Sequence, residues 1–76
     1  MNKDRRKRIQ ELKDKLLDLL TEIEGIKDEE QEAYDNLPES LQDGEKGDKM
    51  SEAVDNLDSA YSSLEEVGEY LDEAMQ

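Results

Sequence analysis

Residues 9–37 read IQELKDKLLDLLTEIEGIKDEEQEAYDNL, and the spacing of their apolar side chains decides the fold. Ile9, Leu12, Leu16, Leu19, Ile23 and Ile26 follow one another by alternating steps of three and four. Ala33 and Leu37 continue the series after Glu30 has taken one apolar slot. An α-helix brings residues three and four apart onto one face, so this is an a/d heptad stripe with a at Ile9 and d at Leu12. Leu20 and Tyr34 widen it on one flank. Leu, Glu, Lys and Gln favour helix, no proline interrupts, and Gly25 falls opposite the stripe. The series predicts a helix over about 3–36.

The second half repeats the pattern without a missed slot: Met50, Ala53, Leu57, Ala60, Leu64, Val67, Leu71 and Ala74. Val54, Tyr61 and Met75 widen it on the neighbouring flank, and a helix over about 48–75 follows. Alanine at alternate positions lets another helix come close. Between the two stripes, Pro38 disfavours helix at Leu37 and removes an amide donor, while Gly44 and Gly47 mark a loop. A loop with one short turn is expected over about 37–47, with Leu37 and Leu41 plugging the end of the core.

So short a connection makes the all-α antiparallel helical hairpin, coiled-coil-like and a single domain over 1–76, the natural architecture. Hydrophobic residues are 33% and charged residues 43%, a balance that borders on disorder; the sustained periodicity argues for order. A two-helix hairpin buries one seam only, and these stripes are wider than a seam needs. A homodimer of hairpins, or a higher homo-oligomer, is therefore expected, closing into a four-helix bundle. Its core and oligomer contacts are assigned to Ile9, Leu12, Leu16, Leu19, Ile23, Ile26, Met50, Leu57, Leu64, Val67 and Leu71.

The formal charge is −13 and it is unevenly spread. Residues 1–15 carry seven cations against three acids, and residues 16–76 carry three cations against twenty acids. The cationic start of the first helix and the acidic end of the second each oppose their own helix dipole, and an antiparallel hairpin sets them side by side. So acidic a chain is not expected to bind nucleic acid directly or an anionic membrane. No apolar run approaches a membrane span or a signal-peptide core, which points to the cytoplasm.

The chain has no Cys and no His. Disulfides, thiolate metal sites and the commonest general base and metal ligand are thereby excluded. The loop lacks the regular alternation of oxygen ligands found in EF-hands. No catalytic residue, cofactor or metal is expected, and the chain does not read as an enzyme.

Three features remain as candidates for function. Asp28, Glu29, Glu32, Asp35 and Glu39 crowd the hairpin end. They read either as a solubilising exterior or as an acidic interaction surface able to compete for a basic nucleic-acid groove. Arg5, Arg6, Lys7 and Arg8 could contact phosphate or an acidic partner, with pairing to the acidic end of the second helix the preferred reading. Glu30 in its core-type slot either fixes register or sits where the helices splay near the loop.

Three stretches carry a resemblance. They are Arg5-Arg6-Lys7-Arg8-Ile9, the segment Asp28-Glu29-Glu30-Gln31-Glu32-Ala33-Tyr34-Asp35-Asn36-Leu37-Pro38-Glu39-Ser40-Leu41-Gln42, and Ala53-Val54-Asp55-Asn56-Leu57. Here the chain resembles small acidic helical proteins encoded by phages, prophages and mobile elements of Gram-positive bacteria. The resemblance implies the cytoplasm of a bacterial host and, by analogy, an antagonist or adaptor that occupies a host or defence protein. Two other functions stay open: a self-assembling spacer, and sequestration of a small anionic ligand at residues 5–8.

Overall fold

Asn2 starts the first helix. Its Oδ1 accepts the Arg5 backbone N–H at 2.9 Å, which satisfies one of the donors a helix start leaves open. In the computed structural model, which describes residues 1–76, helix α1 runs over Lys3–Asp35, a short α2 over Glu39–Gln42, and α3 over Glu45–Ala74. α1 and α3 pack against each other as an antiparallel pair, as the heptad spacing predicts.

The turn follows from Pro38. α1 closes with the Asn36 N–H on the Glu32 carbonyl at 3.0 Å and the Leu37 N–H on the Tyr34 carbonyl at 3.1 Å. Pro38 then caps α2, its carbonyl accepting the Leu41 and Gln42 N–H groups at 2.8 and 3.1 Å. Gln42 Nε2 donates back to the Tyr34 carbonyl at 3.0 Å and ties the turn to α1.

The second helix begins at Glu45, earlier than the expected 48, and takes Gly47 out of the loop. Gly47 is buried because α3 starts with its backbone directly against that of Gln42. A β-carbon at position 47 would stand 2.7 Å from Gln42 Cα. Leu37 is half-buried as expected at the end of the core, but Leu41 is 45% exposed, and Gln42 and Gly44 take the sheltered positions instead.

The hairpin is a rod with Cα extents of 58 × 15 × 11 Å. Its radius of gyration is 17.3 Å, against about 11 Å for a compact chain of this length. Among apolar side chains only Leu16 is buried, at 8% exposure. No helix is long and apolar enough to cross a membrane.

Candidate interaction surface

The seam between α1 and α3 uses rows a and e rather than a and d. On α1 the sheltered side chains are Ile9, Lys13, Leu16, Leu20, Ile23, Lys27, Glu30 and Tyr34. On α3 and its C-cap Met75 they are Met50, Val54, Leu57, Tyr61, Leu64, Leu71 and Met75, with Gly47 and Gly68 completing row e and Ala53 the one sheltered residue of row d. The residues read as flanks, Leu20, Tyr34, Val54, Tyr61 and Met75, thus belong to the seam.

Two ion pairs lock this seam: Lys13 with Asp72, and Lys27 Nζ with Asp58 Oδ1 at 3.1 Å. The hydrogen bond from Lys27 to Asp58 and the charge of that carboxylate raise the Lys27 pKa above its ordinary 10.5, with Asp28 and Glu24 adding to the effect. Between the two pairs, a β-carbon on Gly68 would meet Leu16 Cδ2 at 3.2 Å. The missing side chain at Gly68 therefore leaves room for Leu16 between the helices. The sequence carried a signal for this seam. Lys13 and Lys27 are two heptads apart, and so are Asp58 and Asp72.

Of the residues assigned to core and oligomer contacts, Ile9, Leu16, Ile23, Met50, Leu57, Leu64 and Leu71 turn into the hairpin. Leu12, Leu19, Ile26 and Val67 do not: they are 51, 48, 53 and 44% exposed. All four belong to row d. Rows d and e lie on opposite sides of row a, and two antiparallel helices meeting through a and e place both d rows on the same side of the hairpin. The register of the ion pairs sets Leu19 level with Val67, and Ile26 level with Ala60. An unbroken apolar stripe therefore runs along one side of the rod, large on α1 and small on α3.

The acidic candidates Asp28, Glu29, Glu32, Asp35 and Glu39 are all exposed, and none forms an ion pair. Gln31 Nε2 donates to Asp35 Oδ1 at 3.0 Å. No group of three or more carboxylates converges as metal ligands. Glu30 is half-buried in the seam and carries no ion pair.

The basic tip departs from expectation. Arg5, Arg6, Lys7 and Arg8 are exposed and none pairs with the acidic end of α3. Lys13 takes Asp72 instead, and this register ends α3 beside Glu11, so the start of α1 runs on alone. A shallow groove at this tip is lined by Met1, Arg5, Arg8, Ile9 and Leu12, where the cations meet the end of the apolar stripe.

No protein family, curated protein or solved structure matches the chain.

Proposed function

We propose that this hairpin is a non-enzymatic protein-interaction module that acts as a self-associated helical bundle. One observation carries the reading: the hairpin buries a single apolar side chain, Leu16, while the row of Leu12, Leu19, Ile26 and Val67 stays in water. An isolated hairpin leaves most of its hydrophobic free energy unrealised, and pairing of two stripes into a four-helix bundle recovers it. In that bundle rows a and d face the common core, which explains why the sequence keeps an a/d period although the hairpin closes through a and e.

With the apolar face covered, carboxylates outnumber cations on the outside of the bundle. Asp28, Glu32, Asp35 and Glu39 stand free of cations at the hairpin end, suited to a basic protein surface of the kind that binds nucleic acid. An antagonist or adaptor of the phage type, acting on a host or defence protein, is the function this supports. The free cluster of Arg5, Arg6, Lys7 and Arg8 favours one further reading, a small anionic ligand held at the tip.

Competition tests the acidic surface. The protein is expected to displace duplex DNA from a basic bacterial DNA-binding protein, less so as salt rises. The double variant Glu32→Lys/Asp35→Lys is expected to lose that displacement while keeping its oligomeric mass. Unchanged displacement by the variant overturns the mimicry, and heat on titrating nucleotides into the wild type favours the anion reading.

A further inference from the structure

The apolar stripe is edged on α1 by row g, which reads Arg8, Lys15, Glu22, Glu29. All four side chains are exposed, and none has an ion-pair partner within the hairpin. The row is cationic at one end and anionic at the other. Arg8 and Glu29 flank Leu19 at near-equal distance, and so do Lys15 and Glu22. Leu12 and Ile26 flank Leu19 equally as well, and Leu19 is the middle residue of the 33-residue helix.

We infer that the stripe is covered by a second copy of this chain, docked with its turn at the opposite end, about a two-fold axis passing beside Leu19. This rests on the self-association proposed above and specifies its geometry. Helices that pack antiparallel bring like rows together, g against g. Arg8 then meets Glu29 of the second copy, and Lys15 meets Glu22. The two-fold repeats both pairs, so the interface is self-complementary. Apolar rows d meet inside this rim, with Leu19 facing its own symmetry mate.

The other way to stack two hairpins, with both turns at one end, sets α1 against the second copy's α3. The ion-pair register then puts Lys15 opposite Tyr70, Glu22 opposite Ser63 and Glu29 opposite Asn56. No charge is matched at these levels. That stacking also brings the two acidic turns together, where Asp28, Asp35 and Glu39 repel their counterparts. Opposed turns keep the two acidic ends apart and pair Arg8 with Glu29 and Lys15 with Glu22, and this charge complementarity selects that arrangement.

Two measurements on the full chain test this. A single spin label at Ser40→Cys, clean because the chain has no other cysteine, is expected to report a dimer distance beyond about 50 Å, from the 1.5 Å rise per residue. Turns at one end would give under roughly 25 Å, since neighbouring helices lie 8–10 Å apart, and would overturn the inference while leaving self-association standing. Charge reversal provides the second arm. Arg8→Glu/Lys15→Glu and Glu22→Lys/Glu29→Lys are each expected to weaken the dimer at least about tenfold. Combining all four restores opposite charges across the interface and is expected to restore affinity; failure to restore it overturns the inference. A single-chain mass for the wild type overturns both this geometry and the self-association on which it rests.

Discussion

Gly68 lies against Leu16, so that a β-carbon at position 68 would stand 3.2 Å from Leu16 Cδ2. Leu16 is the one apolar side chain the hairpin fully shelters, and the glycine lets α3 come close enough to shelter it. Gly68→Val is therefore expected to force the helices apart and cost about 1–3 kcal/mol, read from the urea midpoint. Gly68→Ala meets only the far end of a flexible side chain and is expected to cost less than Gly68→Val. Equal stability of Gly68→Val and wild type would contradict the seam.

Two other glycines separate backbone approach from helix propensity. A β-carbon on Gly47 overlaps the Gln42 backbone, which cannot swing aside as a side chain can. Gly47→Ala is expected to lower stability by about 1–3 kcal/mol. Around Gly25 nothing lies within 4 Å, so Gly25→Ala is expected to raise stability by about 0.5–1 kcal/mol through propensity alone. Thermal melts of the two variants should move in opposite directions.

Alkaline pH should weaken the Lys27–Asp58 link. The hydrogen bond and charge of Asp58 raise the folded pKa of Lys27 above 10.5, its ordinary value. Its contribution is thus fully present below 10.5 and is lost as pH rises through the raised folded value. In Lys27→Met this part of the alkaline decline is expected to vanish. Denaturation midpoints of both proteins between neutral pH and the alkaline limit would show it; parallel curves would mean the link adds nothing.

Leu17 and Leu19 are both exposed, 63 and 48%, yet only Leu19 lies on the apolar stripe. Leu17 sits on the other side of the seam, beside the open groove next to Gly68. Leu19→Asp is expected to weaken dimerisation at least about a hundredfold, because it buries an unpaired charge. Leu17→Asp is expected to leave the dimer intact. Sedimentation velocity would compare them, and equal effects would remove the distinction between the two sides.

The helices were legible because apolar steps of three and four run through α3 without a gap and through α1 with only Glu30 interrupting. The side that closes the hairpin was less so. Rows d and e lie equally near row a, and hydrophobicity favours Leu12, Leu19 and Ile26 over Lys13 and Lys27, although the lysines face α3. What decides is a relation across the turn, lysines two heptads apart meeting aspartates two heptads apart, which no single-helix period expresses. Gly47 reads as loop from the sequence for a similar reason, although it lies in α3. Its need for a missing side chain comes from Gln42, a contact between two elements. The tip formed by Arg5, Arg6, Lys7 and Arg8 was expected beside the end of α3, but α1 overhangs because the register is set further along, at Lys13. The exposed acids at the turn were evident from composition; the bare apolar stripe beside them required the fold.

Solution mass by light scattering after size exclusion, followed through a dilution series, decides whether a second copy covers the apolar stripe. A particle of twice the 8.8 kDa chain mass is expected, dissociating only on dilution and losing helicity as it does so. A helical species of single-chain mass at every concentration would contradict it, since the apolar stripe would then be stable in water with nothing covering it.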